Sequence, residues 1–201
     1  MPLTVDYYFA PQSPYVYLGH LRFWDIARRH GATIRVRPVD LGGKVFPVSG
    51  GLPLKQRAPQ RQAYRLLELK RFGEYLNMPI HPEPAYFPVA GDDAAKLIVA
   101  VDQKDGTDAA MHLVTAITRA VWAEQRNIAD EAVLAELLRE CELPASRIED
   151  AHSQAAHERY EANTQEAIAA GVFGAPSYVI EGEIFWGQDR LDFVDRRLAK
   201  G

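Results

Sequence analysis

Apolar and polar positions alternate with two different periods along this chain, and the switches between them mark out its elements. Leu3, Val5, Tyr7 and Phe9 recur at every second residue, the spacing of a half-buried strand. Ser13-Pro14 follows, a capping hydroxyl and then a proline suited to the first helical position. Tyr17, Leu21 and Trp24 continue at helical spacing. Arg28-Arg29-His30-Gly31 ends that helix, with cations in its last turn and glycine beyond. Thr33–Arg37 alternates again, so strand, helix and strand with short connections predict a parallel βαβ unit.

The period then changes. Residues 41–60 carry Gly42-Gly43, Gly50-Gly51, Pro47, Pro53 and Pro59 and predict a long loop; 60–76 predict a helix, and 77–91 are broken by four prolines. Three helical stripes follow: Ala94-Leu97-Ile98-Val101, then Ala110-Leu113-Val114-Ile117-Val121, then Leu134-Leu137-Leu138-Cys141, the last started by Asp130. A short helix near 144–150 and a longer one near 151–170 lead to Gly171. Tyr178–Ile180 and Glu183–Trp186 flank Glu181-Gly182, a hairpin signal, and Asp189 is expected to cap a final helix bearing Leu191, Val194 and Leu198. Neither β-containing end has enough strands for a sheet of its own. The expected architecture is therefore an α/β domain built from both ends, residues 1–40 plus 155–201, interrupted by an all-helical insertion at 41–154.

A strand, a reactive residue at a helix start and a distant Pro176 ahead of another strand are the parts of a thioredoxin-like site. Here, however, Ser13-Pro14-Tyr15-Val16 stands where a redox enzyme keeps Cys-x-x-Cys. Cys141 is the sole cysteine, which excludes an internal disulfide and fits a reducing cytoplasm. It ends an apolar stripe and reads as a small buried hydrophobe. A disulfide oxidoreductase is disfavoured, and sulfur chemistry at this site must come from a bound thiol. Hydrophobic content of 47% and charged content of 25% are ordinary for a globular protein. A net charge of −4 provides no drive toward nucleic acid or an anionic membrane. No apolar run reaches membrane-span length, and the N-terminus shows no signal-peptide pattern. The six histidines are scattered without acidic or cysteine partners, so no metal site is expected.

Ser13-Pro14 after the first strand, Gly171-Val-Phe-Gly-Ala-Pro176 and Phe185-Trp-Gly-Gln-Asp189-Arg190-Leu-Asp-Phe are similar to the 2-hydroxychromene-2-carboxylate isomerases. These are grouped with the kappa-class glutathione transferases among DsbA-like thioredoxin folds. Phe87-Pro88, Arg119-Ala-Val-Trp122, Asn127-Ile-Ala-Asp130 and Asn163-Thr-Gln-Glu-Ala167 extend the resemblance over nearly the whole chain, and Phe-Trp-Gly-Gln-Asp-Arg tilts it toward the isomerase branch. The resemblance implies glutathione as the thiol, a homodimer, and a small aromatic substrate. Its implied reaction is cis–trans isomerisation of an aromatic enone such as an aryl pyruvate, by thiolate addition, rotation and elimination. A kappa-like transferase that keeps the adduct and a non-catalytic thiol-binding module are the alternatives.

Each candidate residue also has a plainer reading. Ser13 is a helix cap on position alone; beside a thiol, the same place favours an anion and offers a hydroxyl donor. Pro176 is an ordinary proline on frequency, whereas the thioredoxin-like pattern implies a cis bond that turns the Ala175 backbone toward glutathione. Gln188, Asp189 and Arg190 are surface and cap residues unless, as the resemblance implies, they meet the γ-glutamyl end. Lys44, Lys55, Arg57, Arg61, Arg65, Lys70 and Arg71 form a basic stretch that is usually a solvated face. Arg61, ahead of Tyr64, is the first choice among them for a ligand carboxylate. Tyr86-Phe87-Pro88, Tyr15 and Tyr17 are candidates for an aromatic pocket lining, and Trp122 for the core. One departure stands out: relatives often carry Gly-Asn-x-Pro-Pro in the loop, where this chain has Gly50-Gly51-Leu52-Pro53-Leu54.

Overall fold

The computed structural model describes residues 2–201. Four strands, β1 (Thr4–Phe9), β2 (Thr33–Pro38), β3 (Ser177–Ile180) and β4 (Glu183–Trp186), form one sheet in the order β2-β1-β3-β4. β1 runs parallel to β2 across helix α1 (Pro14–Arg29), and antiparallel to β3, with Tyr7 opposite Tyr178 and Tyr8 opposite Ser177. β3 and β4 are joined at Glu181-Gly182, both at positive φ, the geometry of a tight two-residue hairpin. The two ends of the chain thus share one sheet.

Between them lie the helices. The expected loop at 41–60 folds into a π-helical turn at Leu41–Val45, a short helix α2 (Phe46–Ser49) and a 3₁₀ turn at Leu54–Gln56. Then come α3 (Pro59–Leu76), α4 (Asp92–Asp105), α5 (Thr107–Trp122), α6 (Glu131–Glu140), α7 (Arg147–Ala151) and α8 (Gln154–Ala169). Asp130 caps α6 as expected, its side chain accepting from Ala132 N at 2.9 Å. A 3₁₀ turn at Gln188–Arg190 precedes α9 (Leu191–Leu198). The expected Asp189 cap is not formed. The 3₁₀ turn inserts three residues, so Arg190 holds the N-cap position of α9 with no side-chain cap bond, and Asp189 pairs with Arg190 instead.

Strand alternation divides the packing. Val5, Tyr7 and Phe9 of β1, with Tyr178 and Ile180 of β3, join α1, α4, α5 and α6 in the main core. On the opposite face Tyr8 and Val179 meet Ala167 of α8 and Val172 in a smaller cluster. Tyr7 stacks on Phe9 and Tyr178 and meets Phe23 at a tilt, ring centres 4.6–5.4 Å apart, so the first strand, α1 and β3 are locked through aromatic rings. Among the described residues, no helix is long and apolar enough to cross a membrane.

His20 sits inside this aromatic cluster. Its Nε2 donates to the Met111 carbonyl at 2.9 Å, which leaves Nδ1 to accept from the Tyr7 hydroxyl at 3.2 Å. Burial, ahead of the neighbouring His112, lowers its pKa to about 4. The unfolded chain therefore takes up this proton first as pH falls. Stability is intact above the ordinary imidazole value and declines from there down to about pH 4, by on the order of 3 kcal/mol. His20→Gln should flatten that part of the curve, and urea unfolding of both proteins across pH 4–7 measures the difference.

Candidate active site

The start of α1 opens onto a groove. Ser13 Oγ accepts from Val16 N at 3.4 Å, and Pro14 occupies the first helical position. Gln12, Ser13 and Tyr15 line a cleft of about 750 Å³ together with Phe46, the Gly50–Leu54 segment, Arg57, Arg61, Arg65, Phe87, Phe173, Ala175 and Trp186. A second cleft of about 480 Å³ adjoins it, bounded by Tyr15, Arg61, Tyr64, Arg65, Glu68, Ala175 and Gly187–Arg190. Because Tyr15, Arg57, Arg61, Arg65, Ala175 and Trp186 belong to both, the two are one continuous groove. Ser13, Ala175 and Arg61 border one part of it, and Ala175, Arg61, Gln188, Asp189 and Arg190 the other. Tyr17 and Tyr86 do not line it: the Tyr17 hydroxyl donates to the Pro79 carbonyl at 2.6 Å, and Tyr86 is exposed outside.

Both walls are held by specific bonds. The Ala175-Pro176 peptide is cis, and Gly187 N donates to the Pro176 carbonyl at 2.9 Å. Ala175 N–H and C=O have no partner among the described residues. Gln188 is 1% exposed; its carbonyl accepts from Arg22 Nη2 at 3.0 Å and its Oε1 accepts from the same guanidinium, leaving Nε2 buried without a partner. On the loop side Thr164 Oγ1 accepts from Asp40 N at 3.0 Å, and Asn163 donates to the Pro38 carbonyl. The Asn163-Thr164 pair thereby fixes the exit of β2 that leads into the Leu41–Val45 turn. Trp122 is core, as its position implies, yet it also serves the groove: its Nε1 donates to the Gln12 carbonyl at 3.2 Å.

Helix α3 supplies the cationic wall. Arg61, Arg65, Glu68 and Phe72 recur at helical spacing and face the groove together. Arg61 is exposed, whereas Arg65 is 7% exposed and has no ion pair or hydrogen bond among the described residues. Its guanidinium lies 5.1 Å from the Phe87 ring centre and 5.5 Å from that of Trp122. Burial, with the nearby Arg57 adding to it, lowers the Arg65 pKa, although the cation persists at neutral pH. The adjacent Tyr15 hydroxyl donates to Glu68 Oε2 at 2.5 Å; burial and that bond push its pKa up and keep it a phenol. A signal for Arg65 was present in the sequence. It occupies the place before Leu69 and Leu76 where the buried stripe of α3 calls for an apolar side chain.

Residues 4–199 match the DSBA-like thioredoxin domain. The chain belongs to this family. It is 30% identical over 199 residues to the 2-hydroxychromene-2-carboxylate isomerase of Sphingobium xenophagum, a match covering 98% of this chain and 99% of that one. A solved structure of 2-hydroxychromene-2-carboxylate isomerase superposes with a TM-score of 0.80 at 27% identity, covering 98% of this chain and 95% of the other. Glutathione S-transferase kappa 1 of Caenorhabditis elegans is more distant, at 23% identity over 94% of this chain and 88% of its own. Within the DsbA-like group the chain is thus a member of the 2-hydroxychromene-2-carboxylate isomerase family, and an isomerase by kinship.

The groove depends on a close approach between α1 and the Gln188 turn. A Cβ on Gly19 would lie 2.8 Å from Gln188 Cβ and 3.3 Å from its Cα, so the turn must move to admit it. Gly19→Ala should destabilise the fold by about 1–3 kcal/mol. Gly42→Ala, with nothing within 4 Å of its Cβ, serves as the control in the same thermal unfolding comparison and should be much milder.

Proposed function

We propose that this protein is a glutathione-dependent cis–trans isomerase of an aromatic enone such as 2-hydroxychromene-2-carboxylate. The observation that carries the reading is one groove bordered by a serine hydroxyl at a helix start, an unpaired Ala175 backbone and two solvent-accessible arginines, Arg57 and Arg61. These features suit a tripeptide with a thiol, a peptide backbone and two carboxylates. The buried, unpartnered Gln188 Nε2 beside the groove is a further polar group that such a ligand would satisfy. When bound, glutathione supplies a nucleophilic thiol whose reversible addition and elimination turns the double bond into a rotatable one. The kappa-class glutathione S-transferase relative supports the same ligand.

Each residue then has a physical task. The Ser13 hydroxyl spends one lone pair on the Val16 N–H and keeps its proton, so it donates to a thiolate without giving up the cap. The start of α1 adds the positive end of the helix dipole. Ala175 offers main-chain pairing to the cysteinyl residue, in the manner of an added strand. Gln188, Asp189 and Arg190 take the γ-glutamyl end, where the Asp189–Arg190 pair can part to meet an ammonium and a carboxylate. Arg61, exposed at the rim, draws in carboxylates.

Titration of glutathione by calorimetry, with S-methylglutathione alongside, tests the ligand; the free thiol is expected to bind more tightly. Ser13→Ala should lower thiol-dependent enone isomerisation at least tenfold near neutral pH, about 1.4 kcal/mol of transition-state stabilisation. The loss should shrink at alkaline pH, because removing a donor raises the bound thiol's pKa and the thiolate then forms unaided. The fold itself should lose only about 0.5–1 kcal/mol from the missing cap. An unchanged pH profile in Ser13→Ala would refute the thiolate role.

A further inference from the structure

Two partly buried arginines elsewhere in the chain are paired with acids. Arg126 reaches Glu124, Glu136 and Glu140, and Arg147 reaches Asp105 and Asp150, at or near the surface. Arg65 is more deeply buried than either and makes no ion pair or hydrogen bond among the described residues, although Glu68 and Glu83 lie near enough to favour its charge. Glu68 accepts from the Tyr15 hydroxyl and keeps its charge, but it does not contact the guanidinium, whose N–H donors stay unused. A buried charge without a partner is costly and is retained where something else supplies the counter-charge. The rings of Phe87 and Trp122 hold the guanidinium without using its N–H donors, so a fork remains for a planar, two-oxygen ligand. Beside it the groove is lined by Phe46, Phe87, Phe173 and Trp186, which suits an aromatic body next to that anionic head.

We infer that Arg65 sets the substrate class of the groove, by receiving the carboxylate and adjacent keto oxygen of an aromatic 2-oxo acid, so that such acids are selected over the matching neutral ketones. This rests on the isomerase reading above and adds a residue and a selectivity to it. Arg57 and Arg61 lie in wetter positions where ions screen them, which suits attraction at the mouth rather than discrimination. The buried position of Arg65 strengthens its interaction with an anion and penalises a ligand that leaves the cation unmatched.

Calorimetric binding of benzylpyruvate and of benzylacetone, its neutral ketone counterpart, tests this without turnover, since neither carries the double bond that a thiol attacks. The wild-type protein should bind the acid at least tenfold more tightly than the ketone. Arg65→Met should erase that preference and leave ketone binding nearly unchanged. Glutathione affinity should stay within twofold of wild type, which separates a substrate carboxylate from a carboxylate of the tripeptide. If Arg65→Met does not fold by circular dichroism, Arg65→Gln, polar but uncharged, is read by the same criteria. The inference is overturned if the neutral variant keeps the preference, if the wild type shows none, or if glutathione binding falls in place of acid binding. Absence of thiol-dependent enone turnover in the wild type would count against the isomerase reading alone, because the acid-over-ketone preference is measured without it.

Discussion

The pairing of β1 with β3 is the constraint on which the site depends. Tyr7 faces Tyr178 and Tyr8 faces Ser177, strands about 170 residues apart in sequence. Continued past its last pair, this antiparallel register carries the chain after Phe9 alongside Ala175. Two segments that local structure could never unite, the start of α1 and the approach to β3, are thereby set at one end of the sheet. A slip of β3 by one residue would turn Tyr178 out of the main core and put Val179 into it, and a slip of β1 would exchange Tyr7 for Tyr8. The packed rings of Tyr7, Phe23 and Tyr178 make either slip expensive, so the packing that stabilises the domain also aligns the groove.

The groove's remaining wall is tied to this frame by contacts of unusual kind for a core. Trp122, wholly buried, carries the Gln12 carbonyl on its indole N–H and the Arg65 guanidinium over its ring. One residue thus sets the spacing between the segment preceding Ser13 and the cationic face of α3. Gln188 acts similarly on the other side, clamped by Arg22 from α1. These buried polar contacts are the places where packing and function draw on the same atoms, and substitutions there will not separate the two.

Much of this was legible in the sequence, for definite reasons. Period-two alternation at 3–9 and the Ser13-Pro14 start are local signals, and the structure realises both. So are Asp130 as a cap and Glu181-Gly182 as a hairpin turn. The helical stripes of α4, α5 and α6 were equally plain because each buries one face. What local pattern does not give is the turn chemistry at 187–190, where Asp189 has the residue type of a cap but a 3₁₀ turn moves the N-cap to Arg190. Nor does composition rank the basic stretch: Arg57, Arg61 and Arg65 look alike, and only Arg65's place ahead of Leu69 in the buried stripe of α3 separates it, which the packing against Phe87 and Trp122 then makes plain.

The departure at 50–54 acquires a physical sense from the same helix. Where relatives often hold an asparagine in this loop, the chain offers Gly51 and Leu52, and Leu52 is 49% exposed at the groove's edge. A loop residue contributes polarity at a position that moves with the loop. On the reading proposed for Arg65, the polar contact has passed instead to a regular helix, held by two rings and by the register of α3. Recognition from such a position loses less ordering entropy on binding and tolerates less variation in ligand geometry. The apolar loop and the buried cation are then two halves of one arrangement: Leu52 withdraws polarity from the lip, and Arg65 concentrates it at the floor, where water competes least.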